Sequence, residues 1–328
     1  MKKNIALVTG GYSSESVISY KTAVTIEANL DKEKFNVYVV DISPTGWICQ
    51  LPGGEKSEID KNDFSFSLNG DHIKFDAVFI GMHGTPGEDG KLQGYFDSLK
   101  IKYTGCDAAT SAITFNKRYT VAVAGMGGIS VAKSVHLFKS NPLPATQVAA
   151  ALTFPVFVKP NNGGSSIGMS KVYDEGNLQE AIDKAFKEDD QVLVEEMIKG
   201  REFTIGVFRK GNEVITLPMT EVISEKDFFD FEAKYEGKSK EITPADLDET
   251  SANKIREAAK KIYLTFNCHG VVRIDFILNE SDGKPYMLEI NTIPGQSEAS
   301  IIPQQVKTMG LSLTTFYSSI LEDAFNRK

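Results

Sequence analysis

The sequence predicts an α/β protein built from two or three domains. Short apolar runs alternate with helix-period segments in its first third, the pattern of a parallel sheet covered by helices. The chain has 328 residues, and at about 100–200 residues per domain that length fits two or three cores. Its composition, 41% hydrophobic and 24% charged, is that of a globular protein.

In chain order, the first strand is expected at residues 4–9. Gly10-Gly11 then turns the chain, and Ser13 or Ser14 is placed to cap a helix. Val17, Tyr20, Val24 and Ala28 give that helix an apolar face. Residues 35–41 and 77–80 are the next strands. The loop MHGTPGEDG follows, and the helix after it carries Leu92, Tyr95, Phe96 and Leu99 on one side. This unit ends near Tyr103-Thr104-Gly105. Pro142 and Pro144 then mark a loop, FPVFVKP is a strand, and NNGGSSIG separates it from MSKV. Leu178, Ala181, Ile182, Ala185 and Phe186 lie at helical spacing. VLVEEM and EFTIGVF are strands joined by a short link. Ile255, Ala258, Ala259 and Ile262 mark a helix, and VVRIDFIL and YMLEIN flank the turn NESDGK as a hairpin. Residues 224–240 are polar and irregular, and a loop of that length is usually functional or mobile.

Several classes are disfavoured. The formal net charge of −8 argues against nucleic acid as a partner, since such proteins usually carry a basic excess. Three cysteines without a CxxC pair speak against a disulfide framework or a zinc site. The N-terminus lacks the long apolar region of a signal peptide. No apolar run approaches the ~18 residues of a membrane span. A cytoplasmic protein with no membrane partner is expected.

The chemistry is concentrated late in the chain. Arg273 and Asp275 are two residues apart, as are Glu289 and Asn291, so each pair shares one face of its strand. If the two strands pair, Asp275, Glu289 and Asn291 converge beside Arg273. Oxygen donors without His or Cys suit Mg²⁺ or Mn²⁺ better than Zn²⁺. The same spacing also fits a solvent-facing sheet with an ordinary Arg–Asp pair. Lys159 precedes NNGGSSIG, whose glycines and serines could cradle an anion, although a plain hairpin turn accounts for GGSS equally. Glu195, Glu196 and Glu202 could accept from an adenine amino group or a ribose hydroxyl, or could be surface charge. His83 either lines the site or is structural. GTPGEDGKL is not a Walker A loop, since it has one residue too many and Leu in place of Ser/Thr. GGYSSES lacks the spacing of a dinucleotide loop.

Taken together, these pieces resemble the ATP-grasp superfamily, and within it the D-alanine–D-alanine ligases. The matching segments are GGYSSES at 10–16, HGTPGEDGKLQG at 83–94, YTG with Lys117 downstream, VKPNNGGSSIGMSKV at 158–172, EEMIKGREFT at 195–204, EAKY at 232–235, RIDF at 273–276 and LEINTIPGQSEASIIP at 288–303. They stand in the family's order and span nearly the whole chain.

The resemblance implies three domains: a Rossmann-like parallel sheet over 1–104, a central unit with a glycine/serine lid over 105–194, and a C-terminal unit over 195–328. The latter two would be α+β domains that sandwich ATP. It implies that Lys117, Lys159 and Ser166 contact ATP phosphates, that Glu195 and the backbone near Ile198 hold the adenine, and that Glu202 holds the ribose. Asp275, Glu289 and Asn291 match the ligands of two Mg²⁺ or Mn²⁺. Arg273 and the Gly295 N–H match an oxyanion hole. Ser300 and the Ile301 N–H match the binders of the second D-alanine's carboxylate. Glu15, Ser165 and Tyr235 match a set around the first D-alanine, with His83 at the substrate site, and Lys234 matches a loop lysine that reaches the γ-phosphate. Tyr235 resembles the enzymes that make dipeptides, where phenylalanine marks those that accept D-lactate.

The chain departs from the family at Val17, Gly163 and Glu196, which leaves adenine contacts and lid mobility open. A homodimer making peptidoglycan precursors in the cytoplasm is implied. Asp275→Ala and Glu289→Gln are expected to remove ligation without unfolding the protein. Two rivals are a nicotinamide-dependent dehydrogenase, disfavoured by the missing GxGxxG, and a non-catalytic nucleotide binder, disfavoured by the intact Arg273, Asp275, Glu289 and Asn291 set.

Overall fold

The computed structural model of the chain describes residues 2–163, 167–224 and 239–327. The expected roles of Ser165, Ser166, Lys234 and Tyr235 fall outside the described residues. Strand β1 (Lys3–Gly10) is a near-continuous apolar run because both its faces are covered, and Ile5, Ala6, Leu7 and Val8 have no exposed surface. It pairs in parallel with β2 (Phe35–Ser43). A short link then leads to β3 (Gly46–Gln50), and β4 (Lys56–Glu58) follows, both antiparallel. A link that short can join only antiparallel neighbours. β5 (Phe66–Leu68) and β6 (Asp71–Ile73) form a separate ribbon, and β7 (Ala77–Ile80) returns to pair in parallel with β1. The order is β4-β3-β2-β1-β7. The expected parallel sheet is therefore mixed, parallel only across β2, β1 and β7.

Helix α1 (Ser16–Asn29) corrects the sequence reading twice. Its N-cap is Glu15, not Ser13 or Ser14, and the Ser13 hydroxyl instead accepts from the Glu15 N–H at 3.3 Å. The expected apolar face points outward: Val17 is 59% and Val24 68% exposed, and Tyr20 is exposed as well. Ser19, Thr22, Ala23 and Ile26 are buried instead. Small residues let the helix lie close to the sheet, and the two buried hydroxyls find polar partners at His83, in the loop after β7.

A second, wholly antiparallel sheet contains β8 (Ser134–Phe138), β9 (Val156–Pro160), β10 (Ser170–Val172) and β11 (Gln191–Glu196), ordered β10-β9-β11-β8. The helix Leu178–Ala185 buries Leu178, Ala181, Ile182 and Ala185, as their spacing predicts. The third sheet holds β12 (Gly200–Lys210), β13 (Glu213–Thr216), β14 (Thr220–Ser224), β15 (Ser239–Ile242), β16 (Val271–Asn279) and β17 (Pro285–Asn291). Its order is β15-β14-β12-β16-β17, with β13 on β12. The helix Glu249–Thr265 covers one face, packing Ile255, Ala259 and Ile262 with Val272, Ile274 and Phe276. The helix Leu313–Asn326 shares a core with β1 and β7 through Phe316, Tyr317, Ile320 and Leu321, joining the first and third sheets. Among the described residues no helix is long and apolar enough to cross a membrane.

Candidate active site

The hairpin of β16 and β17 builds the centre. Arg273 lies opposite Asn291 and Asp275 opposite Glu289, with a register shift just after Asp275. Val272, Ile274 and Phe276 are buried on the far side, so the four polar residues share the near face. The Arg273 guanidinium donates to both Asp275 oxygens, from Nε to Oδ1 at 3.0 Å and from Nη2 to Oδ2 at 2.9 Å. Glu289 Oε1 stands 3.7 Å from Nη2. Thr204, opposite Asp275 on β12, donates its hydroxyl to Oδ1. Burial would lower the Arg273 pKa, but the Asp275 and Glu289 carboxylates outweigh it and raise the value. The bland expectation of a solvent-facing Arg–Asp pair fails here, because both partners are largely buried.

Asp275, Glu289 and Asn291 thus offer hard oxygen donors on one surface. An ionised carboxylate has about four lone-pair sites, and the bonds from Arg273 and Thr204 leave Asp275 room for another partner. The set fits a small divalent cation. Among the described residues no group of three or more His, Cys, Asp or Glu side chains is arranged to hold a metal; here the third donor is an amide.

Beyond Asn291 the chain turns through Thr292, Ile293, Pro294 and Gly295. A Cβ on Gly295 would sit 2.8 Å from Ser300 Oγ, so the turn passes close to the N-terminus of the helix Ile301–Thr308. Ser300 is that helix's N-cap residue, and its hydroxyl makes no capping bond. It bonds Ser297 Oγ at 2.7 Å instead. The Ile301 N–H is one of the first-turn donors that no helical carbonyl can reach.

The loop after β7 lies against this surface. The His83 N–H donates to Ser19 Oγ at 2.9 Å, and the ring Nε2 meets Thr22 Oγ1 at 3.0 Å. Gly84 has φ +67, and a Cβ there would fall 2.4 Å from Ser13 Oγ and 2.8 Å from Glu15 Oε2. Glycine therefore serves both the backbone angle and the close approach of Glu15. The Gly84 N–H donates to Glu88 Oε2 at 2.6 Å.

Known proteins match the chain over nearly its whole length. The family described as D-ala D-ala ligase N-terminus matches residues 4–106, and D-ala D-ala ligase C-terminus matches residues 124–322. The chain is 45% identical over 329 aligned positions to a protein of Parabacteroides distasonis named D-alanine--D-alanine ligase, covering 100% of this chain and 99% of that one. It belongs to the D-alanine–D-alanine ligase family. The structure of VanG D-Ala:D-Ser ligase from Enterococcus faecalis matches with a TM-score of 0.87 and 31% identity, over 98% of this chain and 99% of that one. A Bacillus anthracis D-alanine--D-alanine ligase complexed with ATP matches with a TM-score of 0.78 and 28% identity, over 98% and 97%. The fold is accordingly the mixed α/β, multi-sheet arrangement of D-alanine–D-alanine ligase structures.

On this family member, the described nucleotide candidates divide between the second sheet with its edges and β12 of the third. Lys117 opens the helix Lys117–Met126, and its Nζ donates to the Gly163 carbonyl at 2.7 Å. Asn161 ties the same segment down, its Oδ1 accepting from the Arg118 N–H at 2.7 Å. The Lys159 Nζ bonds Glu195 on the neighbouring β11, and the side chain is 16% exposed. The adenine and phosphate candidates are thus one ion pair, brought together by cross-strand proximity. Ile198 lies in the link to β12, and Glu202 lies on β12 across from Ile277. Glu196 turns away and accepts from the Thr153 N–H at 2.8 Å.

Sequence reasoning missed Thr22, Ser19, Thr204 and Glu88. Of these Glu88 has the most distinctive electrostatics. Desolvation, followed by the Glu15 charge, pushes its pKa up to about 8 from 4.5. Between these values the folded chain holds a proton that the unfolded chain has lost, so this group's contribution to stability declines as pH rises through the window. Glu88→Gln imitates the protonated form. It is expected to flatten the melting temperature's dependence on pH between about 5 and 8. A slope identical to the parent's would remove Glu88 as its source.

Proposed function

We propose that the chain joins two D-alanines into D-alanyl-D-alanine with ATP, through an acyl phosphate, for peptidoglycan precursor synthesis. One observation carries the reading: Arg273, Asp275, Glu289 and Asn291 share a sheet face that runs directly into the Gly295 turn and the Ser300 helix start. The architecture that goes with it is the three-domain ATP-grasp arrangement, with units over 1–104, 105–194 and 195–328. ATP would lie between the second and third sheets. Lys117, Lys159 and Ser166 would contact its phosphates, Glu195 and the Ile198 backbone its adenine, and Glu202 its ribose.

Asp275, Glu289 and Asn291 would hold two Mg²⁺ or Mn²⁺, which supply positive charge against the phosphates. The chain's own groups do the rest. Glu15, Ser165 and Tyr235 orient the first D-alanine by its ammonium, in a wall that includes His83. A carboxylate oxygen of that D-alanine bonds to the γ-phosphorus of ATP, and ADP departs. Lys159 and Lys234 offset the charge that gathers there. Ser300 and the Ile301 N–H hold the carboxylate of the second D-alanine. Its neutral amine bonds to the acyl carbon while Arg273 and the Gly295 N–H take up the oxyanion; the acyl C–O bond then breaks, and phosphate departs with the proton the amine gives up. Exclusion of water protects the acyl phosphate from hydrolysis. The proposed assembly is a homodimer in the cytoplasm. Tyr12, Val17, Tyr20 and Val24, all exposed along α1 and the loop before it, supply an apolar ridge for a second copy.

The test is phosphate release from Mg-ATP with a panel of D-amino acids and D-hydroxy acids. D-alanine is expected to be the preferred acceptor, with D-lactate poor at neutral pH. Release that ignores the acceptor would overturn the reading, and a preference for D-serine would replace the second substrate.

A further inference from the structure

The turn after β17 is held from outside its own segment. The Gln296 N–H donates to Thr22 Oγ1 at 3.3 Å. Thr22 Oγ1 also meets His83 Nε2 at 3.0 Å, and the His83 N–H donates to Ser19 Oγ at 2.9 Å. These contacts order the protons. Among the described residues Gln296 N–H and His83 Nε2 are the hydrogen-bond partners of the Thr22 hydroxyl, so its buried proton finds an acceptor only if Nε2 is bare. The ring proton then sits on Nδ1. The neutral ring this requires agrees with a pKa pushed down to about 4 by burial and by Arg273. Gln296 directly follows Gly295, so the His83–Thr22 pair holds the turn beside Gly295.

A cavity of about 20 Å³, bordered by Thr22, Thr292, Ile293, Pro294 and Gln296, lies behind the turn, room for about one water. The Gln296 side chain adds bonds at 3.3 Å to the Pro294 carbonyl and from the Tyr317 hydroxyl. Thr22 is fully buried. A helical threonine commonly spends its hydroxyl on a carbonyl of its own helix, whereas this one reaches a residue 274 positions away.

We propose that Thr22, with His83, is a positioning residue that sets the Gly295 N–H for the second half of the reaction, acyl transfer. This rests on the ligase reading above, and the test separates the two. Nitrogen-15 NMR of the parent, assigned among its four histidines, reads the His83 tautomer without any turnover; a proton on Nδ1 is expected, and one on Nε2 overturns the clamp. Kinetically, Thr22→Val removes the hydroxyl at nearly constant shape. D-alanine-dependent scrambling of oxygen isotopes in ATP reports phosphoryl transfer, and dipeptide release reports the whole reaction. Thr22→Val is expected to leave scrambling unchanged and to slow dipeptide release by about 10- to 100-fold, the scale of a misplacement of about 1 Å. Thr22→Ser is expected to restore it. Parent-like dipeptide release by Thr22→Val, or an equal loss of both steps, overturns the proposal. A parent that shows neither step refutes the ligase reading, while the tautomer still decides the clamp.

Discussion

Glu289→Gln is expected to abolish ligation in a protein that melts like its parent. The Glu289 side chain is 43% exposed, and the substitution removes a charge while keeping shape. The charge it gives up is the one proposed to hold the cations, whose contribution at a phosphoryl centre is several kcal/mol. Asp275→Ala must behave differently, which revises the expectation that both variants fold normally. Both Asp275 oxygens are bonded to Arg273, and Oδ1 also to Thr204. Removing them strands a buried guanidinium, a loss of about 3–5 kcal/mol. Asp275→Ala should therefore lose stability along with turnover. Melting curves and phosphate release measured on the two variants check this; near-parent turnover by Glu289→Gln would remove the metal assignment.

Arg273→Lys is expected to lower turnover by about 10²–10³, the usual loss for one oxyanion donor. Lysine keeps the charge but not the planar fork. At this site the fork spans both Asp275 oxygens at 3.0 and 2.9 Å, and a single ammonium cannot reproduce that arrangement beside a developing oxyanion. Single-turnover acyl transfer from preformed acyl phosphate is the measurement. A rate equal to the parent's would place Arg273 outside the oxyanion hole.

The centre of the site was legible because strand alternation is a local rule. Arg273 with Asp275, and Glu289 with Asn291, each declare a face by spacing, and the NESDGK turn, read as a hairpin, brings the two strands together. The pairing of Lys159 with Glu195 was not legible. It depends on β11 lying beside β9, and nothing in either strand's own sequence states that order. α1 misled for a physical reason. Its most apolar positions, Val17, Tyr20 and Val24, face outward, while Ser19 and Thr22 are buried because His83 supplies their partners. Hydrophobic periodicity detects the face with the most apolar area, not a buried polar face whose partners come from a distant loop. Glu88 escaped notice likewise, since its raised pKa arises from burial near Glu15, far away in the chain.

The central claim is acyl transfer through an acyl phosphate, and oxygen bookkeeping tests it most directly. D-alanine labelled with ¹⁸O in its carboxylate is incubated with the protein and Mg-ATP, and the released phosphate is analysed by mass. Attack of the carboxylate on the γ-phosphorus, followed by loss of phosphate from the acyl carbon, carries one labelled oxygen into each phosphate released with a dipeptide. Phosphate without label, or release of AMP in place of ADP, would contradict the account.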